Sequence, residues 1–178
     1  MMQGGPTPLF VLPRIYLASK SPRRRELLKQ IGVSFEMLLF REQPPRGTDV
    51  DESPLPGELP RAYVERVSHL KAETGWMRVV QRSLRRHPVL AADTTVALGD
   101  RILGKPASRE EAIEMLQALS GREHQVFTAV TVKLDATVHA VTTESIVTFA
   151  KLSDREIQTY VHSGEPMDKA GAYAIQGV

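Results

Sequence analysis

Strand-like and helix-like patterns alternate along this chain of 178 residues, and that alternation confines it to the α/β folds. The run from Arg14 to Ser19 reads as a short buried strand. It leads into a helix capped by Ser21, with Pro22 at the first position and Gly32 as its stop. Leu27, Leu28 and Ile31 form the apolar stripe of that helix. "VSFEMLLF" is a second strand. A helical pattern then runs from Pro60 to about His87, and Gly75 is expected to break or kink it. "PVLAADTTVAL" is a strongly apolar strand, and "GDRILGKP" turns into a short return strand. Two helices open on Ser-x-x-Glu capping boxes, Ser108 with Glu111 and Ser153 with Glu156. Between them lie two long strands around Asp135-Ala136.

The bulk numbers exclude several functions. Hydrophobic residues make up 42% of the chain and charged residues 25%, which suits one globular domain with a real core. The net charge of +2 supplies no global field for nucleic acid, so any anion site is local. The absence of cysteine removes disulfides, thiolate metal sites and cysteine nucleophiles together. No apolar run approaches the ~20 residues of a membrane span. Residues 1–13 read as a flexible leader rather than a signal peptide, and a cytoplasmic location is expected.

Five stretches bear on chemistry. "SPRRR" places Arg23, Arg24 and Arg25 at a helix start, where free N–H groups and the helix dipole attract an anion and phosphate is the usual guest. Successive helical residues lie about 100° apart, so two arginines can face one ligand and the third cannot. The plainer alternative is a solvated helix face with Glu26 as partner. Asp93 interrupts an apolar strand; it is either a structural aspartate bonded to Thr94 or a backbone amide, or a general base or metal ligand. The Pro-rich stretch after Phe40 is expected to be a long exposed loop, and its "DVDES" offers carboxylates that are either solvated or ligands to Mg²⁺. "GDRILGKP" mimics a phosphate-binding loop, but Pro106 stands where the magnesium-binding hydroxyl belongs and Asp100 would repel phosphate; a hairpin turn explains it better. Lys105 remains a candidate cation there. "GEPMDKAGAYAIQG" is a loop or, through the amide of Gln176, a base-recognition segment.

Taken in order, "LASKSPRRRELL", "VDES", "RVSHLKAE", "ADTTV" with "LGKP", "SGREHQVFTAV" and "SGEPMDKAGAYAIQG" resemble the Maf family of nucleoside triphosphate pyrophosphatases. The resemblance covers Ile15 to Gly177. It implies a single domain over 14–178, an elongated two-lobed mixed β-sheet with flanking helices and a central cleft, like inosine triphosphate pyrophosphatases. It implies hydrolysis of a nucleoside triphosphate at the α–β phosphate link with a divalent cation, Mg²⁺ or Mn²⁺. By position, the family's phosphate-binding residues fall on Ser19, Arg23, Arg24, Lys71 and Lys105. Its acidic, metal-binding residues fall on Glu52 and Asp93, its general base on Asp93 and its base-side amide on Gln176. Lys71 comes from the resemblance alone; by itself it is an ordinary helix lysine.

"SPRRR" and "DKAGAYAIQG" look like the branch acting on dTTP and UTP. Relatives imply a homodimer. The chain departs from the family in Arg66-Val67-Ser68, where "RLA" is common, and it stops at Val178 where relatives continue, so the domain is expected to lack a C-terminal tail. The competing reading is a non-catalytic regulator of cell division that binds nucleotide or protein. An RNA-binding module is disfavoured by the low net charge.

Overall fold

The computed structural model of the chain describes residues 14–40 and 49–176. The leader at 1–13 and the first part of the Pro-rich loop lie outside the described residues. Six strands form one mixed sheet: β1 (Ile15–Leu17), β2 (Phe35–Met37), β3 (Val89–Leu98), β4 (Arg101–Leu103), β5 (Glu123–Leu134) and β6 (Thr137–Thr148). The strand order is β2-β1-β3-β5-β6, with β4 paired to β3. The helices are α1 (Pro22–Gln30), α2 (Pro60–Gln81), α3 (Arg109–Leu119) and α4 (Asp154–His162), followed by two 3₁₀ turns at Glu165–Asp168 and Ala170–Ala172. Among the described residues no helix is long and apolar enough to cross a membrane.

The pairing pattern leaves one opening. Antiparallel β5 occupies one edge of β3 from Val89 to Ala97. On the other edge, parallel β1 pairs with Val89 and Leu90, and antiparallel β4 pairs with Val96 to Leu98. The edge of β3 from Ala91 to Thr95 therefore lies between two strands that diverge from it. Ligands in open α/β sheets bind where neighbouring strands part.

Two apolar clusters flank this opening. At one end, Ile15 and Leu17 of β1 pack on Leu28 of α1, while Tyr16 and Ala18 turn to α2 and meet Ala72, Trp76 and Val79. Covered on both faces, β1 is fully buried. At the other end, Val96 and Leu103 pack on Ala112, Leu116 and Leu119 of α3 and on Ile157 and Val161 of α4. Strand β3 runs through both, with Val89 and Ala91 in the first and Val96 in the second, where Val126 of β5 also packs.

Several expected boundaries shift. Helix α2 runs unbroken through Gly75 and ends at Gln81 rather than near His87. A Cβ at Gly75 would sit 2.7 Å from Cγ1 of Val89, so this glycine lets helix and strand approach closely instead of breaking the helix. Past the end, Ser83 takes a left-handed φ of 51° and Pro88 follows, both hostile to further helix. In α1 only Leu28 is buried; Leu27 and Ile31 are 43% and 65% exposed. The underlying strands β1 and β2 are three residues each, too small a platform for a full stripe. The second strand contracts to Phe35–Met37.

The α4 capping box closes both ways, Glu156 N to Ser153 Oγ at 3.3 Å and Ser153 N to Glu156 Oε2 at 2.8 Å. In α3 the Ser108 half forms, but Glu111 accepts from Ala107 N instead, at 2.6 Å. The hairpin readings at Gly99-Asp100 and Asp135-Ala136 match the structure, with φ of 58° at Gly99 and 51° at Asp135. No helix follows Lys105 directly, which removes the phosphate-loop reading.

Candidate active site

The chain leaves β1 at Ala18 and turns through Ser19 and Ser21 into α1. Ser21 Oγ caps the helix by accepting from Arg24 N at 3.4 Å, and Ser19 Oγ accepts from Ser21 N at 3.2 Å. This turn points Arg24 across the opening. Its Nη1 donates to Ser19 Oγ at 3.1 Å and to the Ala92 carbonyl at 2.8 Å; its Nη2 donates to Thr94 Oγ1 at 3.3 Å. Thr94 Oγ1 in turn lies 3.1 Å from Thr128 Oγ1 on β5. Burial pulls the Arg24 guanidinium below its ordinary pKa, and the charges of Asp93 and Glu52 oppose that pull. The helix phase separates the arginines: Arg23 faces solvent and pairs with Glu26 at 3.3 Å.

On the α2 face of the same strand Asp93 is buried, and its Oδ1 accepts from Lys71 Nζ at 2.8 Å. The same ammonium lies 2.9 Å from Glu52 Oε2. One lysine thus holds two carboxylates, one from a strand and one from the loop before α2. Burial raises the Asp93 pKa most strongly; Lys71 and Arg24 lower it, and Glu52 raises it further. The reading of Asp93 as bonded to Thr94 is replaced by this pair with Lys71.

From Asp49 to Glu58 the loop carrying Glu52 is fastened to α2. Tyr63 Oη donates to the Glu52 carbonyl at 2.9 Å, and Arg66 donates to the Ser53 carbonyl at 2.9 Å and to both oxygens of Glu58. Asp49 forms an ion pair with the buried Arg78. Burial, with Asp93 and Glu52 adding, pushes the Tyr63 phenol up to about 12.

Lys105 and Gln176 are exposed. Lys105 lies near enough to Asp168 to help Lys169 lower that carboxyl's pKa. The segment after α4 docks beside it through Gly171 N to the Gly104 carbonyl, 3.0 Å. Gly171 has φ of 70°, and a Cβ there would meet Val96 at 2.9 Å, so only glycine fits this approach.

Of the residues named from sequence, Ser19, Arg24, Lys71, Glu52 and Asp93 therefore meet at the opening, while Arg23, Lys105 and Gln176 are exposed side chains outside that set of contacts. Tyr63, Glu58 and Thr128 were not singled out, and Arg66 and Thr94 were named without a place in the site. The only hint of them was a helix bearing Tyr and Arg directly after an acidic loop.

An α/β sheet with cations and carboxylates gathered where its strands part is the architecture of a nucleotide-phosphate enzyme. The solved structure of the Staphylococcus aureus Ham1 protein shares the fold, with TM-score 0.51 and 18% identity over 79% of this chain and 72% of that one. The chain belongs to the Maf family: the family model described as Maf-like protein matches residues 14–178. Among curated relatives, the dTTP/UTP pyrophosphatase of Nitrosomonas europaea is 58% identical over 163 residues, covering 92% of this chain and 79% of the relative. Proteins of the same name from Dechloromonas aromatica and Aromatoleum aromaticum are 51% and 54% identical, with 92% of this chain and 82% and 80% of those relatives covered.

Proposed function

We propose that the chain hydrolyses dTTP and UTP between the α and β phosphates, releasing the monophosphate and pyrophosphate. The observation that carries this reading is the meeting of Arg24, Lys71, Glu52 and Asp93 at the open edge of β3, in a chain 58% identical to a dTTP/UTP pyrophosphatase. Phosphoryl chemistry depends on positioning and charge neutralisation more than on covalent participation. Arg24 is oriented by its three protein acceptors and presents its remaining N–H groups to phosphate oxygens. Lys71 adds a second cation, and Ser19 a hydroxyl. Arg23 and Lys105 reach the chain of phosphates from the rim, and Gln176 lies on the base side.

Glu52 and Asp93 fit a divalent cation. The Lys71 ammonium already draws an oxygen of each to within 2.9 and 2.8 Å of one positive charge. Mg²⁺ or Mn²⁺ is commonly held by one or two carboxylates completed by phosphate oxygens and water. Among the described residues no three His, Cys, Asp or Glu side chains gather as a metal site, here or elsewhere, so a cation on this pair would rely on phosphate and water for its other ligands. When bound, the metal neutralises phosphate charge and acidifies a coordinated water. With Oδ1 committed to Lys71, Asp93 takes the proton of the attacking water at Oδ2.

The test is pyrophosphate release from a panel of dTTP, UTP, purine triphosphates and 7-methyl-GTP with Mg²⁺ or Mn²⁺. Fastest release from dTTP and UTP is expected. Arg23 disfavours the cationic 7-methylguanine, so faster turnover of 7-methyl-GTP, or orthophosphate as the product, would overturn the reading.

A further inference from the structure

We propose that Arg66 and Glu58 are positioning residues for Glu52, and that their ion pair sets the affinity of the site for its divalent cation. The inference rests on the reading of Glu52 as a metal ligand. The Glu52 side chain is 50% exposed, so packing does not fix it. Its place is set by Lys71 and by the main chain around it.

That main chain is held by two side chains of α2, the Arg66 guanidinium and the Tyr63 hydroxyl. Arg66 Nε and Nη2 form a fork on Glu58 at 2.6 and 2.8 Å, and Nη2 also donates to the Ser53 carbonyl at 2.9 Å. Glu58 Oε2 accepts from Leu55 N at 3.0 Å, and Glu58 N donates to the Leu55 carbonyl at 3.0 Å. Tyr63 Oη holds the Glu52 carbonyl, and the Arg66 guanidinium lies 5.7 Å from the centre of the Tyr63 ring. Residues 52, 53 and 58 are thus tied to Tyr63 and Arg66 of α2, residue 55 is tied to Glu58, and Lys71 follows on the same helix. The Glu58 side chain is only 8% exposed, unlike the partners in ordinary surface pairs. A two-pronged contact of this kind sets both distance and angle. Groups that orient a metal ligand from behind affect metal affinity about 10–100-fold.

The experiment measures Mn²⁺ binding by electron paramagnetic resonance, with an α,β-imido analogue of dUTP present. The parent is compared with Glu52→Gln, Arg66→Lys, Glu58→Gln and Tyr63→Phe, and pyrophosphate release is followed as Mn²⁺ is varied. Glu52→Gln is expected to lose most Mn²⁺ binding. Arg66→Lys keeps the charge but loses the fork; it and Glu58→Gln are each expected to weaken Mn²⁺ tenfold or more. Their kcat at saturating Mn²⁺ should stay within a few-fold of the parent, and the double variant should be little worse than either single one. If Arg66→Lys does not fold, Glu58→Gln and Tyr63→Phe decide. Parental Mn²⁺ affinity in these variants, with Glu52→Gln still impaired, overturns the positioning role and leaves Glu52 as a ligand. A lowered melting temperature with unchanged Mn²⁺ affinity overturns that role equally. Parental Mn²⁺ binding by Glu52→Gln overturns the metal reading and the inference together.

Discussion

Asp93 carries a conflict between stability and chemistry. Burial raises its pKa above 3.8, more than Lys71 and Arg24 can offset. A carboxyl whose folded pKa exceeds its unfolded one binds its proton more tightly when folded. Its stabilising contribution is full below about pH 4 and is lost as pH rises through the folded pKa. Above that folded pKa the ionised Asp93 therefore opposes folding relative to its protonated form. Asp93→Asn is expected to cut turnover roughly 10²–10⁴-fold while melting no lower than the parent at pH 7, the difference narrowing toward pH 4. Thermal unfolding across that range, together with pyrophosphate release, checks both halves. A variant with the parental rate and a lowered melting temperature would make Asp93 a structural residue. Asp93 and Arg24 were legible in sequence because each breaks a local rule, a charge in an apolar strand and a cation at the positive end of a helix. Lys71 breaks none, since a lysine on a helix is ordinarily solvated and its meeting with Asp93 spans 22 positions. The choice of Arg24 over Arg23 depends on helix phase against a strand far along the chain.

Gly75 shows the same limit for a whole element. By propensity alone, alanine is better in a helix by ~1 kcal/mol. Here the added methyl would press on Val89, a buried β-branched residue gripped by β1 and β5, which cannot rotate away freely. Overpacking of this sort costs about 1–3 kcal/mol, so the clash is expected to win and Gly75→Ala to shift the denaturant midpoint downward. A midpoint at or above that of the parent would show that α2 moves aside without penalty. Helices with capping boxes and hairpins with special turn residues were legible because their signals lie within a few residues. The breaker reading of Gly75 failed because the reason for the glycine lies in another element.

For the whole molecule, alternation announced an α/β sheet, but the order β2-β1-β3-β5-β6 is decided by pairings distant in sequence. Nothing local says that β1 and β4 would share one edge of β3 and leave Ala91 to Thr95 between them. That edge makes the molecule its own reporter. Tyr16 N donates to the Pro88 carbonyl, Ala18 N to the Leu90 carbonyl, and Arg24 reaches the Ala92 carbonyl, so even-numbered residues of β3 turn their backbone toward β1. The N–H groups of Ala92 and Thr94 consequently face the opening. Hydrogen exchange at these two amides is expected to slow when a non-hydrolysable dTTP analogue binds, while Asp93 N–H, turned toward β5, changes little. Equal slowing along all of β3 would indicate global stabilisation rather than occupancy of the opening.

An open sheet edge is ordinarily a template on which any stray strand can polymerise. This one is stopped at both ends, by β1 after Leu90 and by β4 from Val96. At roughly 3.3 Å per residue the backbone left without a strand partner on this edge spans only about 17 Å. An extended peptide cannot run through such a slot without colliding with its ends, whereas a compact polyanion fits inside. The length of the slot therefore sieves its visitors before any side chain inspects them, and the fold keeps an unpaired edge at its centre without inviting aggregation.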